Sequence, residues 1–387
     1  MASLQTAKKI VSTLKENGFD AYIVGGAVRD YLLRIDSNDI DITSSAKPHQ
    51  VMKIFEDTRP TGIKYGTVTV FERGEGFEVT TFRTDGPAED NRHPDYIVYG
   101  DQVEEDVLRR DFTINGILMN EKGEIFDYVN GQEDLKAKTI NTIGDPMLRF
   151  SEDALRMLRA CYFQAKLNFS IDSDTLKAMA IQAGLLKTLP SERVFNELIK
   201  LLKSKYSRKA LKTMQEVGYD GVIPGLKKTI AFYIEHELET YIDPFFALST
   251  YFNEEDMSYW PFSNKHRHKY VKAARRAKEK RPISNHDLYE DGLEIMTLAG
   301  RLLTMLHGMP FKAKKLQDMY ENLPIQSVVD LKIKPKEMMA LAHKKAGAWI
   351  KETQEDMVKR ILKGELENTR EALFVDFRMT YVKGMKV

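Results

Sequence analysis

The chain has 387 residues, enough for two or more domains with sizeable cores, and 58 basic against 57 acidic residues leave a formal charge of +1. That balance excludes a globally basic nucleic-acid binder, so any electrostatic footprint for such a partner must be local. The single cysteine, Cys161, excludes an intramolecular disulfide and a Cys-rich zinc site, which fits a reducing compartment.

The first 22 residues, MASLQTAKKIVSTLKENGFDAY, read as an amphipathic helix closed by Asn17-Gly18, without the apolar run of a secretory signal. A short apolar strand at 21–24 follows, then the Gly25-Gly26 turn and a helix opening at 27–33. Next comes Asp39-Ile40-Asp41-Ile42, a strand whose side chains alternate, so both carboxylates point one way and both isoleucines the other. Further β-type runs at 66–71, 78–82 and 125–128, mixed with helices and turns, make 1–145 a domain of strands and helices. From Asp145-Pro146 onward the apolar spacing turns helical, as in Ala154, Leu155, Leu158 and Cys161 and again in Val194, Leu198, Leu201 and Leu202. Cys161 in that pattern reads as a small buried hydrophobe. Breaks near Gly184, Pro190, Gly218 to Pro224, Pro261, Pro282, Pro310 and Pro324 divide an otherwise all-helical remainder. The expected fold is α+β, a head with a small mixed sheet followed by helical segments. No apolar run is long enough to span a bilayer, so a soluble cytoplasmic protein with no membrane partner is expected.

The chemistry resides in the head. Two carboxylates on one strand face can share divalent cations, and magnesium takes carboxylate oxygens while keeping positions open for phosphates. The glycine turn lets the backbone approach a ligand, and a helix N-terminus behind glycines, with Arg29 added, suits a triphosphate. This arrangement reads as a nucleotidyl-transfer site.

Further motifs follow in order: GGAVRD at 25–30, DID at 39–41, FEVTTFR at 77–83, RRDFTIN at 109–115, FDYVNGQEDL at 126–135, RFSEDALRMLRA at 149–160 and ERVFNEL at 192–198. In these segments, over about half its length, the chain resembles the class II CCA-adding enzymes, tRNA nucleotidyltransferases of the DNA polymerase β superfamily, and their bacterial poly(A) polymerase kin. The resemblance implies a head at 1–145 and a helical neck at 146–205 that recognises the base. It further implies a body at 206–282 and a tail at 283–387 for tRNA. It implies that Asp39 and Asp41 hold Mg2+, that Gly26, Arg29 and Arg110 meet the incoming nucleotide, and that CTP and ATP are the substrates. Alternation in Glu78-Val79-Thr80 puts Glu78 beside the acids as an auxiliary carboxylate.

EDALRMLRA suggests how bases are chosen without a template. On a helix Asp153 and Arg156 are neighbours, with Arg159 continuing the stripe. A carboxylate accepting from an exocyclic amine and a guanidinium donating to the ring would take C and A and reject U and G. The alternative is that Glu152 and Arg156, four residues apart, form a surface ion pair and nothing more. Where relatives carry another arginine this chain has Tyr162, which can stack or hydrogen-bond but brings no charge. Asn141 likewise stands where relatives often carry arginine.

Residues 84–95 read as a surface loop that relatives use in switching from C to A. Residues 264–281, NKHRHKYVKAARRAKEKR, carry nine Lys or Arg against one Glu. Lys265, Lys269, Lys272 and Arg276 lie at helical spacing, a stripe suited to RNA phosphates. Lys332, Lys334, Lys336, Lys344 and Lys345 extend that charge into the tail. His286-Asp287 alone lacks the further ligands of an HD phosphohydrolase site. The expected activity is template-independent addition or repair of the tRNA 3′ CCA end. The rivals are a poly(A) polymerase, an idle RNA-binding scaffold and a small-molecule nucleotidyltransferase. The oligomeric state stays open, a homodimer included.

Overall fold

The computed structural model describes residues 3–37, 39–85, 97–254 and 256–382. It divides into two compact units, Met1–Thr240 with Tyr259–Pro261, and Tyr241–Ser258 with Phe262–Val387. The loop expected at 84–95 lies largely outside the described residues.

The first unit starts with helix α1 (Leu4–Glu16), capped by the Ser3 side chain, which buries Ile10, Val11 and Leu14. Strand β1 (Ala21–Val24), helix α2 (Gly26–Leu32), strand β2 (Asp41–Ser44) and helix α3 (Pro48–Ile54) come next. A meander of β3 (Thr58–Gly62), β4 (Thr67–Glu72) and β5 (Glu75–Thr81) then leads to the small hairpin of β6 (Arg83–Asp85) and β7 (Ile97–Tyr99). Helix α4 (Val103–Leu108), strands β8 (Leu118–Met119) and β9 (Ile125–Phe126), helix α5 (Gly131–Ala137) and strand β10 (Thr139–Ile140) complete the head. Its main sheet has seven strands in the order β3-β4-β5-β2-β1-β8-β9. β2 runs antiparallel to β1 but parallel to β5, in a register that sets Asp41 opposite Glu78. Val24, Phe82, Val103, Val107 and Leu118 form a dry cluster holding α4 to the sheet, so the segment after α4 has a fixed position relative to β2.

The rest of the first unit is helical: α6 (Pro146–Glu152), α7 (Leu155–Leu167), α8 (Ser173–Ile181), α9 (Ser191–Leu202), α10 (Ser207–Glu216), α11 (Tyr219–Val222) and α12 (Lys227–Glu235). The all-helical expectation needs one correction. After α7 the chain turns at Asn168, which takes a left-handed φ of 61°, and β11 (Ser170–Ile171) pairs in parallel with β10. Cys161 is buried in α7, and burial pushes its thiol up to about 12.

The second unit holds α13 (Ile242–Phe252), α14 (Asn264–Lys278), α15 (Asn285–His307), α16 (Ala313–Glu321), α17 (Pro335–Ala342), α18 (Ala348–Leu362) and α19 (Arg370–Phe377). Here the basic stripe expected on α14 is overturned. Lys269 is only 7% exposed and its Nζ lies 2.8 Å from Asp243 and 3.0 Å from Glu294. Lys272 pairs with Asp291, and Arg276 with both Asp287 and Asp291. Three of the four stripe cations thus neutralise acids of α13 and α15, and Lys265 alone stays exposed. Asp287 of the His-Asp dipeptide caps α15 through Ser284 and takes both terminal nitrogens of Arg281. Lys332, Lys334, Lys336, Lys344 and Lys345 are all exposed. No helix among the described residues is long and apolar enough to cross a membrane.

Candidate active site

Gly25 links β1 to α2 with φ 75°, a conformation that glycine adopts at little cost. A β-carbon there would stand in ordinary contact, 3.7 Å from Arg110 Nη1 and 3.8 Å from Asp41 Oδ2, so the turn lies against both this acid and this base. Asp41 is the first residue of β2, and Asp39 stands two residues earlier, exposed, just outside the strand. The expected alternation holds, with Ile40 and Ile42 4% and 0% exposed on the core side. Burial, then the charge of Asp39, push the Asp41 carboxyl up to about 6; Arg110 opposes and Glu78 adds to the rise. The structure therefore gathers Gly25, Asp39, Asp41, Glu78 and Arg110 at one end of β2.

Among the described residues no group of three or more His, Cys, Asp or Glu converges as a complete metal cage. Asp41, whose ionisation the neighbouring Asp39 makes costlier, forms with Asp39 a partial donor set instead. That suits magnesium, which is bound through one or two carboxylates with waters and substrate phosphates filling the other positions.

Arg29 is placed differently from a free triphosphate ligand. It is 2% exposed, its Nε donates to Asp30 at 2.8 Å, its Nη1 donates to Asn115, and its guanidinium lies 5.1 Å from the Phe163 ring centroid. Its Nη2 comes 3.4 Å from where a β-carbon on Gly26 would stand, so Arg29 supports the glycine turn from beneath.

The neck residues also depart from the sequence reading. Asp153 does not share a helix with Arg156: its φ of −146° ends α6, and its Oδ1 accepts the Leu155 amide at 3.0 Å to start α7. Asp153 Oδ2 accepts from Arg193 of α9 at 3.1 Å. Arg156 pairs with Glu152 at 2.8 Å and donates to the carbonyls of Arg149 and Arg109 at 3.0 Å each. Arg149 donates to the carbonyls of Arg109 and Arg110 at 2.6 and 2.7 Å, and Arg159 to Asp111 at 2.7 Å. Three arginines of α6 and α7 thus grip the segment that carries Arg110. Burial opposes ionisation of Asp111, but Arg159, Asn115 and the Phe112 amide hold its carboxyl below the usual range. Tyr162 is half-buried on α7 with Lys200 of α9 5.9 Å from its ring centroid, so a cation from another helix stands beside the ring.

Sequence reasoning missed Asp106, Arg149 and Arg193. Asp106 was legible: it stands three and four residues before Arg109 and Arg110 on a predicted helix face. Arg149 and Arg193 carried no such local signal.

Comparison with known proteins agrees with this geometry. The family described as "Poly A polymerase head domain" matches residues 21–141, "Probable RNA and SrmB- binding site of polymerase A" matches 168–230, and "tRNA nucleotidyltransferase domain 2 putative" matches 238–376. The CCA-adding enzyme of Anoxybacillus flavithermus is 37% identical over 377 residues, 95% of each chain. That of Listeria monocytogenes is 37% identical over 375 residues, 94% of this chain and 95% of its own. The crystal structure of the Bacillus stearothermophilus CCA-adding enzyme in complex with CTP superimposes with a TM-score of 0.84 at 32% identity, covering 98% of both chains. Motif order, fold and full-length similarity agree, and the chain belongs to the family of CCA-adding enzymes.

Proposed function

We infer that this protein is a template-independent tRNA nucleotidyltransferase that builds or repairs the 3′ CCA end from CTP and ATP and releases pyrophosphate. The observation that carries the reading is the convergence of Asp39, Asp41 and Arg110 on the glycine turn, in a chain similar along its length to CCA-adding enzymes.

Asp39 and Asp41 would hold Mg2+, which when bound activates the tRNA 3′ hydroxyl and stabilises the departing pyrophosphate. The chain's own residues position the reactants. The Gly25-Gly26 backbone and Arg110 receive the phosphates, held in place by the grip of α6 and α7 on residues 109–111. Asp153 accepts from the exocyclic amine of cytosine or adenine while Arg156 donates to the ring nitrogen. To do so Arg156 exchanges its bond to Glu152, whose side chain is 53% exposed, so water compensates the carboxylate left behind. Uracil and guanine present a carbonyl oxygen where Asp153 needs a donor and a ring N–H where Arg156 needs an acceptor, so both partly buried side chains would be left mismatched. Arg159 keeps Asp111 in place, and Tyr162 offers a stacking face. Within this reading 1–145 is the head, 146–205 the neck, 206–282 the body and 283–387 the tail that holds tRNA, in the cytoplasm.

The test offers the purified protein each nucleotide singly with tRNA lacking its terminal residues. C and A are incorporated and U and G refused, and Asp41→Ala loses transfer while keeping a native circular dichroism spectrum. Appreciable transfer by Asp41→Ala would remove the metal assignment.

A further inference from the structure

One fully buried carboxylate beside the site is not used by the mechanism above. Asp106 on α4 is fully buried at 0% exposure, yet its carboxylate serves three donors. Oδ1 takes Arg109, from Nε at 2.9 Å and Nη2 at 2.7 Å. Oδ2 takes Arg110 Nη2 at 2.9 Å and the Thr43 hydroxyl at 3.0 Å. Thr43 is two residues beyond Asp41 on β2, so its side chain shares the face of Asp41. The cluster thus links the strand of the catalytic acid to the arginine that faces it.

That link decides where Arg110 points. Its Nη2 is committed to Asp106 while its Nη1 lies beside Gly25, as does Asp41 Oδ2, and its buried Nε has no acceptor among the described residues. No hydrogen bond joins Arg110 to Asp41 among the described residues. Without Asp106, Asp41, whose carboxylate already feels the Arg110 charge, is an acid open to this guanidinium, and a closed pair there would occupy both the cation meant for phosphate and the acid meant for a metal ion.

Building on the nucleotidyl-transfer reading, we propose that Asp106 is a positioning residue for the incoming nucleotide. It anchors the Arg110 guanidinium away from Asp41, so that the cation stays open to nucleotide phosphates and the carboxylate stays open to a divalent ion.

The test is a double-mutant cycle on equilibrium CTP binding in EDTA, which needs neither metal nor turnover. Asp106→Asn keeps the shape and removes the charge, and it weakens CTP binding about tenfold. Arg110→Met weakens it at least as much. The double variant binds no worse than Arg110→Met alone, because Asp106 acts only through Arg110. A double variant weaker than Arg110→Met by the full Asp106→Asn factor, or unchanged binding in Asp106→Asn, would overturn the proposal, since a purely structural loss is additive. Should Asp106→Asn fail to fold, Thr43→Val carries the test. It keeps every charge and removes one bond to Oδ2, and it weakens binding by a smaller factor that vanishes in the Arg110→Met background. A wild-type protein that does not bind CTP at all would overturn the nucleotidyl-transfer reading instead.

Discussion

Replacing Asp41 with asparagine is expected to stabilise the first unit while removing its chemistry. Burial and Asp39, with Glu78 adding and Arg110 opposing, push the Asp41 carboxyl from 3.8 up to about 6. A carboxyl whose folded-state pKa lies above its unfolded value is held more firmly as the neutral acid in the folded protein. Ionising it therefore lowers stability, beginning as the pH rises above 3.8 and reaching its full extent once the pH passes about 6. The full extent corresponds to about 3 kcal/mol, an upper figure for what a neutral amide recovers. The assay is urea unfolding in EDTA between pH 5 and 8. The chain has two tryptophans, and in a Trp349→Phe background Trp260 alone reports on the first unit. Asp41→Asn should then unfold at higher urea than its parent at pH 8, with the gap closing as the pH falls. With EDTA replaced by magnesium, the midpoint of the parent alone should rise, as expected of an ion held by the folded carboxylates. Equal midpoints at pH 8, or a gap that persists unchanged on acidification, would refute the reasoning.

Other consequences are equally direct. Lys269→Met leaves Asp243 and Glu294 without their buried cation, so it should lower the melting temperature of the second unit; a drop in tRNA affinity at unchanged stability would restore the phosphate-stripe reading. Burial opposes ionisation of Asp287, but Arg281 and the Ser284 amide bring its carboxyl down to about 2. Its contribution is therefore present above pH 3.8 and lost as the pH falls towards 2, and Asp287→Asn should flatten that part of the stability curve of the second unit. Cys161, buried with its thiol at about 12, should resist iodoacetamide in the native protein and react in urea; rapid native labelling would contradict its burial.

The acid pair was legible because strand alternation is a local rule: Ile40 and Ile42 had to face the core, which left Asp39 and Asp41 on the other side. The pairing of Asp41 with Glu78 was legible only as a suggestion, since strand alternation fixes a face and not the parallel register that makes them neighbours. Helical spacing misled twice, for the same reason. On α14 it found the row of Lys269, Lys272 and Arg276 but could not see Asp243 or Asp291, which arrive from other helices and turn that row inward. Across Glu152 to Arg156 it assumed a continuous helix, whereas Asp153 uses its own carboxylate to cap a new one. Arg29 sat in the right motif and pairs with its neighbour Asp30, but its commitment to Asn115 depends on RRDFTIN folding back from 86 residues downstream. Local periodicity thus supplied the elements and the acids, and long-range charge pairing decided which cations stay free.

The most direct measurement gives the protein a labelled tRNA lacking its 3′ CCA, with magnesium, CTP and ATP, and sequences the extended ends. The account predicts three added residues in the order C, C, A, with none added by the Asp39→Ala and Asp41→Ala variants. Long A tails grown from ATP alone, or full extension by either variant, would contradict it.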